Sequence, residues 1–181
     1  MAFSATQNND KVGLILFSDE VELFIPPKKG KSHVLRIIRE LIEFKPKGKK
    51  TNVGKALKFL SSVIKKRAIV FMLSDFMDDD YETTLKITGK KHDLTGIRVY
   101  DKHDEEIPNI GMVPMLDAET GDIQLINTAA KSVRNRYKTN ATQTTEYFMD
   151  MFKKSGAGTI NIRVDESYVK KLLGYFKHKG K

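Results

Sequence analysis

The sequence predicts an α/β fold with a mostly parallel sheet. Three observations carry this: short apolar runs of strand length, amphipathic helical segments alternating with them, and strand ends that break into Ser-Asp or charged turns. Met1 to Asn9 reads as the tail of a helix followed by a polar turn. Val12–Phe17 (VGLILF) is the first strand; Ser18-Asp19-Glu20 turns the chain into Val21–Ile25, and the two runs form an antiparallel hairpin. Pro26-Pro27 ends the second strand and suits a sheet edge, because proline donates no ladder hydrogen bond.

A helix follows, with Ser32 as a candidate cap and Val34, Leu35, Ile38, Leu41 and Ile42 at helical spacing. Pro46 and Gly48 stop it. A second helix starts near Thr51 and places Val53, Leu57, Leu60 and Ile64 on one face. Ala68–Leu73 (AIVFML) is continuously apolar, as a central parallel strand buried on both faces requires, and it runs into Ser74-Asp75.

A short helix around Tyr81–Lys90 leads to a strand at Leu94–Tyr100. An inserted hairpin pairs Met112–Leu116 with Ile123–Ile126 across a turn at Asp117–Asp122. Asn127 or Thr128 can cap a long helix with Val133, Tyr137, Ala141, Phe148 and Phe152 on its inner face; Gly156 and Gly158 end it. Thr159–Val164 is the last strand, and a final helix is expected to bury Val169, Leu172, Leu173 and Phe176. With 181 residues, one domain over 1–181 is expected.

Composition narrows the function classes. Hydrophobic residues make up 40% and charged residues 30%, the balance of an ordinary globular chain. No apolar run has membrane-span length and no signal peptide opens the sequence. The absence of cysteine excludes thiolate metal sites and a cysteine nucleophile, and fits a cytoplasmic location. The net charge of +9 is concentrated: Lys28 to Arg67 holds 14 basic residues against Glu40 and Glu43, a local +12, while the remainder sums to −3. Such a field attracts acidic partners or nucleic acid. The plainer reading is two helices with solvated lysine faces, and no aromatic interleaves Lys45–Lys50 to stack on bases.

Candidate chemistry is sparse. Gly48–Ala56 imitates a phosphate-binding loop but has five residues between its glycines where four are needed, Ala56 where a hydroxyl should hold magnesium, and a preceding helix in place of a strand. Asp75, Asp78, Asp79 and Asp80 are hard oxygen donors suited to a divalent cation. Asp78–Asp80 read better as caps for the next helix, whereas Asp75 directly follows a buried strand, where ligands of such folds gather. His33, His92, His103 and His178 lie in charged segments without metal-ligand spacing and read as surface histidines. No residue nominates itself as a catalytic base or nucleophile.

Four segments carry a resemblance. Asn9-Asp10-Lys11-Val12-Gly13-Leu14-Ile15-Leu16-Phe17-Ser18, Ile25-Pro26-Pro27-Lys28-Lys29-Gly30, Val70-Phe71-Met72-Leu73-Ser74-Asp75-Phe76 and His92-Asp93-Leu94 together resemble the C-terminal portion of the bacterial family known as domain of unknown function fifty-eight. The resemblance implies a Rossmann-like von Willebrand factor type A sandwich: a mostly parallel sheet with an antiparallel edge hairpin. It also implies a metal-ion-dependent adhesion site built from an Asp-x-Ser-x-Ser loop, a Thr and an Asp.

By this resemblance Thr51 and Asp75 match the second and third elements. Magnesium or another divalent cation is the implied cofactor, and a partner's carboxylate completes its shell. Lys47, Lys49, Lys50 and Asn52 are the implied partner-binding residues beside Thr51. No Asp-x-Ser-x-Ser occurs in the sequence, so the first, mid-sheet strand is expected to be missing and the metal site to be weak or empty. The exposed edges of Val12–Phe17 and Ala68–Leu73 should then close on each other or on a second copy.

The resemblance implies a non-catalytic interaction module accessory to a MoxR-type AAA ATPase. Two other readings stay open: a magnesium-dependent phosphoryl hydrolase using Asp75, and nucleic-acid binding through residues 28–67.

Overall fold

The computed structural model describes residues 4, 7–116 and 121–179. The chain divides into two compact units, Met1–Val63 and Ile64–Lys181. The architecture is mixed α/β, with a parallel three-stranded sheet and two separate antiparallel hairpins.

In the first unit, β1 (Val12–Phe17) pairs antiparallel with β2 (Val21–Lys28), as the apolar runs predict. β2 continues through Pro26-Pro27, which were expected to end it, to Lys28. Proline is tolerated there because, among the described residues, β2 pairs only with β1, leaving its other edge without a ladder to supply.

Helix α1 (Lys31–Glu43) follows. Its cap is Gly30 at φ 103°, in the region that favours glycine, and Ser32 lies inside the first turn. Its buried residues are Val34 and Ile37, while Leu35, Leu41 and Ile42 are exposed; the buried stripe is narrower than the periodicity suggests. Helix α2 (Val53–Val63) buries Val53, Ala56 and Leu57. Its start is capped by Asn52, whose side-chain oxygen accepts from the Lys55 backbone N–H at 2.8 Å.

The second unit is built on parallel strands β3 (Ile69–Ser74), β4 (Asp93–Tyr100) and β7 (Gly158–Arg163), in the order β3-β4-β7. The central strand is β4, not β3, and Leu94 to Arg98 are all buried. β3 lies at the sheet edge, so Ile69 and Leu73, expected inside, stand 69% and 58% exposed. Among the described residues β1 pairs with β2 alone and β3 with β4 alone.

Alternation along β4 assigns the two faces. Ile97 joins Ile160, Ile162 and Phe71 against Leu172 and Tyr175 of helix α6 (Tyr168–Lys179). Val169 and Leu173 of that helix are exposed, and Phe176 is 41% exposed against the ring of Phe71, so it buries less than predicted.

Gly96 faces the other way. A side chain there would run into Phe148 and Phe152 of helix α5 (Lys131–Lys154), which stack with Phe76 into a fully buried aromatic cluster. Gly156, at φ 73°, follows the end of α5.

Helix α3 (Glu82–Lys91) and the short α4 (Lys102–Glu105) complete the unit with the hairpin of β5 (Met112–Leu116) and β6 (Ile123–Asn127). The expected turn of that hairpin lies partly outside the described residues. Thr128 does not cap α5, which starts from Ala130 without a side-chain cap. The buried Thr128 hydroxyl instead donates to the Gly111 carbonyl at 2.7 Å, fixing the base of the hairpin.

Candidate functional site

The sequence nominates two half-sites, Thr51 with its basic loop in the first unit and Asp75 in the second. The loop before Thr51 is held by the β1–β2 turn. Glu22 of β2 accepts hydrogen bonds from the Ser18 hydroxyl at 2.5 Å and from the backbone N–H groups of Lys47 at 2.7 Å and Gly48 at 3.3 Å. The Ser18 hydroxyl, then the Lys47 amide, holds the Glu22 carboxyl below its usual range, since both bonds favour the charged form.

The Asn52 backbone N–H donates to the Ser18 carbonyl at 2.8 Å. Gly48 approaches Ser18 and Asp19 so closely that no side chain fits. Thr51 is therefore delivered, half-buried, from an anchored loop into the start of α2. Lys47 and Lys49 follow the same anchored backbone, and both Asn52 groups named above are engaged locally.

Asp75 stands one residue beyond β3 and is exposed. Its Oδ1 accepts from the Met77 N–H at 3.1 Å and the Ser74 hydroxyl at 3.3 Å, and the Ser74 hydroxyl in turn accepts from the Phe76 N–H at 3.0 Å. Phe76 takes φ 56° and is completely buried, so the tight turn that presents Asp75 is nailed to the aromatic core.

Asp78–Asp80, expected as helix caps, do not occupy the cap position. α3 is capped by Tyr81 with no side-chain cap bond. Among the described residues no group of three His, Asp or Glu side chains could hold a metal ion. Thr51 and Asp75 are oxygen donors of the kind magnesium prefers, but two donors are too few for a resident ion. Magnesium often binds through one or two carboxylates plus waters and a ligand's oxygens, and Asp75 is an exposed carboxylate of that kind.

Two polar residues are buried against the sequence reading, His92 expected on the surface and Arg98 not singled out. His92 is buried, not on the surface: its ring Nδ1 accepts from the Ala68 N–H at 3.3 Å, and burial lowers its pKa. Arg98 lies on central strand β4, in register with Ser74 of β3 and Asn161 of β7. It is 2% exposed, stacks 4.3 Å from the Tyr100 ring centre and lies 3.6 Å from Glu105, yet its Nε and one terminal nitrogen make no hydrogen bond. The only sequence signal was a lone charge within the apolar run LTGIRVY.

Together these features define a mixed α/β protein whose candidate residues flank the start of a helix and the carboxyl end of a parallel strand. The chain belongs to the family described as protein of unknown function DUF58, which matches residues 1–147. It is 23% identical over 163 residues to the uncharacterized protein MAV169 of Mycobacterium avium, covering 84% of this chain and 92% of that one. It is 19% identical over 178 residues to the uncharacterized protein Rv1480 of Mycobacterium tuberculosis; 97% of this chain spans only 56% of that protein.

Two solved structures share the fold. BatB, a conserved hypothetical protein of Bacteroides thetaiotaomicron, aligns over 99% of this chain and 84% of its own with a TM-score of 0.55 at 15% identity. An aerotolerance-related membrane protein of Bacteroides fragilis aligns over 96% and 81%, with a TM-score of 0.54 at 16% identity. No described helix of the present chain is long and apolar enough to cross a membrane.

Proposed function

We propose that this chain is a non-catalytic protein-interaction module of von Willebrand factor type A type, accessory to a MoxR-type AAA ATPase and cytoplasmic. Thr51 and Asp75 are the retained donors of its metal-ion-dependent adhesion site. The observation that carries the reading is the setting of Asp75. An exposed carboxylate is fixed by a turn at the carboxyl end of a parallel strand, the rim where α/β folds place their ligands.

By the family resemblance, Asp75 is the carboxylate and Thr51 the hydroxyl that an adhesion site of this type offers a divalent cation, and the basic loop at Lys47, Lys49 and Lys50 would draw in an acidic side chain of the partner. Holding a carboxylate through a shared cation is the task this donor set suits.

The test is affinity for a purified MoxR-type ATPase with magnesium or with chelator. Asp75→Asn and Thr51→Ala should each weaken magnesium-dependent binding at least about tenfold, a loss of about 1.4 kcal/mol. Unchanged binding by both variants removes the site from the reading. Turnover in a phosphatase and nuclease screen that is lost in Asp75→Asn would replace it with the hydrolase.

A further inference from the structure

We propose that the groove between the free edge of β2 and helix α2 binds an extended acidic peptide of a partner protein, which adds a strand to the hairpin. The groove has a volume of about 440 Å³ and lies wholly within the first unit. One wall is Glu20, Val21, Glu22, Leu23 and Phe24, five consecutive residues. Glu20 belongs to the turn before β2; successive side chains of a strand point to opposite faces, so a cleft touched by Val21, Glu22, Leu23 and Phe24 in a row runs along the strand's backbone edge.

Among the described residues that edge is unpaired, since β2 bonds only to β1, and Pro26-Pro27 lie beyond the stretch that lines the groove. Alternate residues of Val21–Phe24 therefore turn backbone N–H and C=O groups toward the cleft, the template for strand addition.

The opposite wall is Lys55, Lys58 and Phe59, which share one face of α2 by their spacing. Phe24 and Phe59 meet edge to face at 5.4 Å and give the floor an apolar patch for alternate side chains of the added strand. The charge selects the occupant. Glu22 is committed to Ser18 and the Lys47–Gly48 backbone, and Glu20 is paired with Lys55. A peptide carboxylate meets exposed Lys58 and competes with Glu20 for Lys55, within a segment carrying net +12. That same charge, and the two prolines in β2, disfavour a second copy of this chain as the added strand.

The inference rests on the interaction reading only in taking the chain to bind proteins. It needs no cation, so it fails or succeeds separately from Thr51 and Asp75. The probe is a labelled peptide alternating valine and glutamate, followed by fluorescence anisotropy in chelator, with a valine–lysine peptide as control. The acidic peptide should bind and the basic one should not. Lys58→Glu should weaken binding about tenfold and Glu20→Gln should tighten it.

Strand addition is tested on the peptide, where protein folding is not at issue. Two peptides N-methylated at complementary alternate residues should differ in affinity, because only one set of N–H groups faces β2. Equal affinity of the two, binding of the basic peptide, or no binding of the acidic one overturns the proposal.

Discussion

The Glu22 carboxylate accepts the backbone N–H of Lys47 at 2.7 Å, tying strand β2 to the basic loop that delivers Thr51 into helix α2. An acidic residue in a hydrophobic strand thus sets the geometry of a loop 25 positions downstream. The loop is positioned by the hairpin and not by its own sequence.

Glu22→Gln should loosen that loop. The folded protein holds the carboxyl below its ordinary value of 4.5, so its contribution to stability is fully present above that pH and disappears as pH falls through the lower folded value. The melting temperature of wild type should therefore exceed that of Glu22→Gln at neutral pH and converge on it in acid below pH 4.5. A gap that persists unchanged into acid would show that the carboxylate's charge is not what holds the loop.

Gly96→Ala should destabilise the second unit. The new methyl group meets the rings of Phe148 and Phe152, both completely buried, and overpacking of this kind costs about 1–3 kcal/mol. Gly96→Val should cost more, and chemical denaturation measures both. Wild-type stability in Gly96→Val would mean that the aromatic cluster yields easily.

Tyr81→Phe should stabilise. The Tyr81 hydroxyl is buried with no hydrogen-bond partner, and removing such a group relieves a desolvation cost of about 1–3 kcal/mol. Burial also pushes its pKa up, so the wild-type side chain's contribution erodes as pH rises above 10 while the phenylalanine variant is spared that loss. Melting curves at neutral and alkaline pH check both points; a less stable variant would reveal a bond to the hydroxyl.

Arg98→Met should fold at least as stably as wild type. The guanidinium is buried with two nitrogens unbonded and one ion partner at 3.6 Å, and hydrophobic replacement of such a buried charge is often neutral or stabilising by about 1–4 kcal/mol. A large loss of stability in the variant would mean that Arg98 organises the polar row of Ser74 and Asn161 beside it.

Much of this fold was legible in the sequence, and the failures have physical causes. Apolar runs located the strands because burial dominates their composition, as in Ile69–Ser74 and Asp93–Tyr100. Runs alone did not give sheet order: Ala68–Leu73 has the composition of a central strand but lies at an edge with Ile69 and Leu73 exposed. Caps were misplaced at Ser32, Asp78–Asp80 and Thr128, because a capping residue type signals a capable side chain and not the backbone geometry it needs. His92 and Arg98 went inside although their neighbours are polar or apolar without distinction, since burial of a single charged or titratable group depends on contacts distant in sequence. For the candidate site, the sequence identified Thr51 and Asp75, while the turn that fixes Asp75 and the Glu22 anchor beneath Thr51 became apparent only in three dimensions.

The roles proposed for Thr51 and Asp75 in binding the ATPase are read by a double-mutant cycle. Affinity for the MoxR-type ATPase would be measured with magnesium for wild type, Thr51→Ala, Asp75→Asn and the double variant. Shared function predicts that the double variant binds no worse than the weaker single one, a coupling of about 0.5–3 kcal/mol. Losses that simply add, or an undiminished double variant, would contradict it.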